Sequence, residues 1–356
     1  MDKKYLIVFF IVIILVAVGI FFTTKNISQS PIDLEKCNTL SYNGEGKTNI
    51  VFFSSEAIAK KYMNEFFKIS PFDDNKESFN FYYIDYTPEC ELYKGIAILC
   101  YSKEVIKKAA SCPNDYIVVV QNKPSNIRSS SYMNVLSLNG NNQVNVFAHE
   151  FGHAFANLAD EYVPAKIPKG SKNCQTNCDK FNTEECSKGC SEDSYYRSIN
   201  SGIMRTLFAN TYGPFNEELI NLKIKKSSIT GNVIQDIRNC ENEKYYLIEG
   251  NYENQEVNII SKSVESGCVG ENGNGVFSYQ LILDNNEQAK TENFNPELVF
   301  TDLVQDTELS GGPIDYSGRF LLKVPIIEDS SKLEIINEDK KTEVNLKDIG
   351  SRPCEI

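Results

Sequence analysis

The chain has 356 residues, 41% of them hydrophobic, and its 36 basic and 48 acidic side chains leave a formal net charge of −12. That is ample apolar material for a core, and at this length one larger domain with a smaller accessory domain is the expected division. The acidic balance, with no Lys/Arg cluster against it, excludes a nucleic-acid binder.

Tyr5 to Phe22 is an uncharged apolar run of 18 residues. As a helix it spans about 27 Å, close to the hydrocarbon thickness of a bilayer, so it reads as a transmembrane anchor. Lys3 and Lys4 leave residues 1–4 as a cytoplasmic tip and the remaining chain outside. A cleaved signal peptide, with secretion of the body, is the alternative, although Gly19-Ile20-Phe21-Phe22-Thr23 is a poor cleavage site. All 11 cysteines follow this run, which suits an oxidising compartment. Residues 23–46 are polar, lack helical or strand periodicity and read as a tether.

A first domain is expected over residues 47–238. Ile50 to Phe53 predicts a strand, Ser54 or Ser55 a cap for a helix from Glu56 to Phe67, and Phe79 to Tyr86 a further strand. A helix over Lys103 to Ala110 leads to the apolar strand Tyr116 to Gln121, and Met133 to Leu138 supplies one more. Strands alternating with helices predict a mixed α/β sheet.

The segment Val144 to Tyr162, VNVFAHEFGHAFANLADEY, holds the only two histidines of the chain. Two histidines placed at random land four apart about once in two hundred trials, before the Glu beside the first is required. Residues four apart stack on one helix face, so His149 and His153 can close on one Zn²⁺ while Glu150 reaches an attacking water. Val144, Phe147, Phe151, Phe155 and Leu158 form an apolar stripe nearly opposite the histidines, which therefore face a cleft. The strand before the helix either rims that cleft or is an ordinary internal strand.

A tetrahedral catalytic zinc needs a third protein ligand, and no third histidine exists. Asn157 suits a left-handed break at the helix end, and three residues beyond it stands Asp160; Glu161, with a longer side chain, is the competing ligand. The group Cys174, Cys178, Cys186 and Cys190, in a polar insert over residues 171–193, suits either a structural zinc or two disulfides. Disulfides of Cys174 to Cys190 and Cys178 to Cys186 are the favoured reading.

HEFGHAFANLADEY resembles the signature of the IgA peptidase family of metalloendopeptidases, and FNFYYIDY, YIVVVQN and Ile203-Met204-Arg205 extend the resemblance less tightly. It implies a zincin-like α+β catalytic domain, with a mixed sheet plus active-site helix, and a zinc endopeptidase acting on polypeptides. In that frame His149 and His153 are ligands and Glu150 is the base. Met204 becomes a Met-turn beneath the metal, and Arg205, Tyr162 and Tyr212 become candidate contacts to substrate or oxyanion. The family commonly has glycines where this chain has Ala156 and Asn157.

Residues 239–356 change character. Tyr245 to Ile248, Val257 to Ser263, Phe277 to Leu283, Leu298 to Leu303, Phe320 to Val324 and Leu333 to Ile336 predict an all-β sandwich with no catalytic constellation. Two functions are open: a membrane-anchored endopeptidase, or an inactive zincin-like surface protein that binds or adheres through its sandwich.

Overall fold

Apolar runs buried on both faces build the central layer of the computed structural model, which describes residues 34–229, 240–253, 256–300 and 318–349. The expected anchor, the tether up to residue 33 and Cys354 lie outside the described residues. Among the described residues no helix is long and apolar enough to cross a membrane.

The first part runs β1 (Asn38–Ser41), β2 (Thr48–Phe53), α1 (Glu56–Phe66), β3 (Phe79–Ile84), β4 (Glu91–Tyr93), β5 (Ala97–Leu99) and α2 (Lys103–Ala109). It continues through β6 (Tyr116–Gln121), β7 (Ser130–Tyr132), β8 (Val135–Asn139), α3 (Val146–Ala156), β9 (Ser187–Cys190), β10 (Glu192–Arg197) and α4 (Pro214–Ile229). The second part is all β: β11 (Lys244–Glu253), β12 (Glu256–Ser266), β13 (Phe277–Leu283), β14 (Gln288–Phe294), β15 (Leu298–Phe300), β16 (Arg319–Pro325), β17 (Ser330–Asn337) and β18 (Lys340–Asn345).

The main sheet has the order β1-β3-β2-β6-β8-β7-β15. Its centre, β3-β2-β6-β8, is parallel, and β1, β7 and β15 add antiparallel edges. Alternation along each strand sends side chains to two cores. Ile50, Phe52, Phe79, Phe81, Tyr116 and Val118 face α1 and α3, whereas Val51, Phe53, Ile117 and Val119 face α2 together with Tyr245, Leu247 and Leu321 of the later strands. A third core lies between the sheets β12-β11-β16 and β14-β13-β17-β18 and takes in Ala97, Leu99, Tyr132 and Met133.

Several expectations are corrected. The stretch read as a tether ends in the main sheet, where β1 pairs with β3 and Cys37 is bonded to Cys112. β8 is wholly buried between β6 and β7, so the strand before α3 is internal and rims no cleft. Leu298–Phe300 leaves the later sheets and pairs with β7 as the edge of the main sheet. The described residues from 34 onward cluster as one compact unit. The change near residue 239 is therefore one of architecture, not a break in packing.

Among the described residues five disulfides are formed. Besides Cys37 to Cys112 they join Cys90 to Cys100, Cys174 to Cys190, Cys178 to Cys186 and Cys240 to Cys268. The four cysteines of the insert are thus bonded in pairs and hold no metal.

Candidate metal centre

α3 carries the site because its two faces do different things. Phe147, Phe151 and Phe155 turn to the sheet, where Phe151 meets Tyr116 edge-on at 5.1 Å and Phe66 at 5.2 Å between ring centroids. His149, Glu150 and His153 occupy the other face, and all three are buried. The entrance of the helix is pinned by Asn145, whose Nδ2 donates to the Leu207 carbonyl at 2.9 Å.

The helix ends at Asn157, which adopts the left-handed conformation with φ 51° and ψ 40°. Asparagine tolerates that region better than other residues with a Cβ, because its short amide bonds locally. Here Asn157 Nδ2 donates to the Lys169 carbonyl at 3.0 Å. The break turns the chain back, so that Asp160 meets the histidines where a straight helix would carry it about 10 Å beyond them.

Three atoms converge. His149 Nε2 and His153 Nε2 lie 3.1 Å apart, and Asp160 Oδ1 is 3.0 Å from the first and 3.3 Å from the second. Tetrahedral zinc with bonds of about 2.0–2.1 Å places its ligands about 3.3 Å apart, so the triangle fits that ion with small adjustment. Each histidine gives its Nδ1 to a main-chain carbonyl, His149 to Ile203 at 2.9 Å and His153 to Leu158 at 2.6 Å. A carbonyl only accepts, so Nδ1 carries the proton and the Nε2 lone pair points into the triangle. Asp160 Oδ1 has no hydrogen-bond donor of its own at that point, as expected of a metal-facing oxygen. Burial would raise the Asp160 carboxyl, but His153 and His149 outweigh it and hold it below the ordinary carboxylate range.

Glu161, the competing ligand, points elsewhere. Its Oε1 accepts from Asn216 Nδ2 at 2.8 Å and Asn173 Nδ2 at 3.2 Å, and its N–H donates to the Met204 carbonyl at 2.9 Å. Burial pushes its carboxyl up to about 7, against the pull of Asn216, Asn173, Arg197 and Arg205. It braces the loop from within.

The other candidates divide. Tyr162 is buried with its phenol against Asp160; burial first, and then Asp160 and Glu150, raise it well above the usual tyrosine range. Met204 lies directly beneath α3: a Cβ on Gly152 would stand 2.7 Å from Met204 Sδ and 2.9 Å from Tyr212 Cε1. Tyr212 donates its hydroxyl to the Ala148 carbonyl, which engages it inside the helix floor. Arg205 donates through Nη1 to the Glu161 carbonyl at 2.9 Å, which makes it a brace of the Asp160–Glu161 loop.

Residues that sequence reasoning passed over hold the loop in place. Asn173 takes the Ala159 N–H at 2.7 Å on its Oδ1 and returns Nδ2 to the Ala159 carbonyl at 2.9 Å, while Ser191 Oγ donates to the Asp160 carbonyl at 2.7 Å. Both flank the buried Cys174 to Cys190 bond, so the Cys-rich insert acts as a clamp on the Asp160 loop. Only the adjacent cysteines hinted at it.

A small cavity opens beside His153, lined by Ser131, Asn157, Asn295, Glu297 and Val299. Glu297 fixes this side of the ligand loop, accepting from Lys169 N at 3.1 Å and pairing with Lys166 Nζ at 3.2 Å. Scans against protein-family models and against curated proteins found no match to this chain.

Proposed function

We propose that the chain is a zinc-dependent endopeptidase of the kind its signature resembles, with a zincin-like catalytic part, anchored by residues 5–22 and with its body outside the membrane. The convergence of His149 Nε2, His153 Nε2 and Asp160 Oδ1, with Glu150 on the same helix, is the observation that carries this reading. His149, His153 and Asp160 would hold a zinc ion, which when bound would supply Lewis-acid chemistry for the scissile carbonyl and for the attacking water. Glu150 takes a proton from the attacking water and delivers it to the leaving amine. The Ile203 and Leu158 carbonyls hold the two imidazoles in the tautomer that leaves Nε2 free. Tyr162 packs its phenol against the Asp160 carboxylate, and Met204 supports the helix from below.

Glu150→Gln is the direct test. The variant should bind one equivalent of zinc per chain and lose hydrolysis of an unfolded protein by about 10²-fold or more. Cleavage at the parent rate would remove Glu150 from the reaction.

One observation favours a second reading. Glu150, His149, His153 and Asp160 are all buried, and the adjacent sheet edge is taken by the chain's own β15. A zinc-holding domain that binds at a surface without hydrolysing fits that closure. Correctly oxidised, zinc-loaded protein with no chelator-sensitive cleavage of unfolded substrates would decide for it.

A further inference from the structure

Outside the metal centre, Lys323 of β16 is 1% exposed and makes no ion pair among the described residues. Its Nζ donates to Oδ1 of Asn114, itself 1% exposed and 209 residues away in the chain. An ammonium buried without a carboxylate partner is costly, and most proteins neutralise or pair it.

The surroundings look arranged for chemistry on the amide. Asn114 Nδ2 donates to the Ala109 carbonyl at 3.0 Å and the Cys112 carbonyl at 2.6 Å, which fixes the plane of its carboxamide. The amine, hydrogen-bonded to an oxygen only about 1.2 Å from Cγ, lies within about 4 Å of that carbon. Asn272 clamps the Lys323 backbone from both sides, N to Oδ1 at 2.8 Å and Nδ2 to O at 2.9 Å, and its Nδ2 also reaches Glu292 Oε2 at 3.0 Å. Gly270 crosses the Asn114 backbone so closely that a Cβ there would stand 1.6 Å from the Asn114 main-chain oxygen, and Asn114 as a whole is buried. Burial lowers the Lys323 ammonium to about 8, with Asp115 and Glu292 opposing, so a fraction of the amine is neutral and nucleophilic near neutral pH.

We propose that Lys323 and Asn114 join in an intramolecular isopeptide bond, Nζ of the lysine to Cγ of the asparagine, tying the mixed sheet to the later β-sheets. A carboxylate, Asp115 or Glu292, takes a proton from the lysine ammonium. The neutral Nζ attacks Cγ, the Cγ–Nδ2 bond breaks, and the carboxyl proton together with one from the attacking nitrogen leaves with Nδ2, so that the net products are a secondary amide and ammonium. No oxidant or cofactor is consumed, and the unpaired buried charge disappears.

Peptide mapping of the full chain, reduced, alkylated and digested with trypsin, tests this. The expected product is one branched species in which residues 109–128 are joined to residues 320–332, lighter than their sum by one ammonia, with cleavage after Lys323 lost. The Lys323→Arg variant should yield the 109–128 peptide alone and unmodified. A parent map dominated by free 109–128 and by cleavage after Lys323 overturns the proposal. So does a 109–128 peptide that has lost ammonia by itself, which is succinimide formation, and that species would persist in Lys323→Arg.

Discussion

Replacing Gly152 by alanine tests the floor beneath the metal helix. The new methyl would sit 2.7 Å from Met204 Sδ and 2.9 Å from Tyr212 Cε1, about 1 Å inside comfortable contact. Neither neighbour has free space: both are 0% exposed, and the Tyr212 hydroxyl is tied to the Ala148 carbonyl. Overpacking of this size costs about 1–3 kcal/mol, while alanine in place of a helical glycine returns about 1 kcal/mol. A net loss of about 1 kcal/mol should lower Tm by about 1–2 °C in a chain of this size. Moving Met204 also moves the Ile203 carbonyl that orients His149, so zinc affinity should fall by about tenfold. Thermal denaturation and competition with a chromogenic chelator read the two effects. Trimming Met204 to alanine should cost less in the Gly152→Ala chain than in the parent, because the two changes share one space. A Gly152→Ala protein as stable as its parent, with unchanged zinc affinity, would refute the packing account.

Asn173→Ala strips the Ala159 N–H of its buried partner and should cost about 1–3 kcal/mol, and zinc affinity should drop by about ten- to a hundredfold as Asp160 loosens. Titration calorimetry with zinc would detect this, and parent-like affinity would argue against the clamp. Zinc at about a thousand times its Kd should raise unfolding free energy by about 4 kcal/mol over chelator-treated protein, visible as a higher denaturation midpoint. Removing the Cys174 to Cys190 bond with a double alanine variant should cost about 3 kcal/mol, and the loss should be larger in the zinc-loaded protein than in the metal-free one, since the bond steadies the ligand loop.

How much was legible depended on whether a feature is local. The spacing of His149 and His153 and the opposite phenylalanine stripe are properties of one helix, so periodicity alone displays them. The left-handed turn at Asn157 is readable from residue type, and it separates Asp160 from Glu161 in direction once the chain bends. Arg205 and Tyr212 are different, because a donor's target is set by what packs against it. Both are consumed by nearby carbonyls that no spacing predicts. β1 is four residues of weak strand pattern, stabilised by β3 and by a disulfide across 75 residues. The strand Gln288–Phe294 is similarly hidden, since its exposed polar side chains leave only a faint alternation. The insert's grip on Asp160 rests on asparagine and serine, residues too common in loops to stand out.

The antiparallel pairing of Leu298–Phe300 with Ser130–Tyr132 has a temporal side. A chain made from its N-terminus has His149, His153 and Asp160 available while the last strand of their sheet is still to come. At typical synthesis speeds the gap is roughly ten to thirty seconds. During that interval the sheet edge beside the histidines is bare and the ligands are open from that side. Docking of Leu298–Phe300 then closes the edge. On the zinc reading proposed above, metal could therefore enter before the sheet closes, and a chain ending before residue 298 would keep His149, His153 and Asp160 but lack the strand beside them.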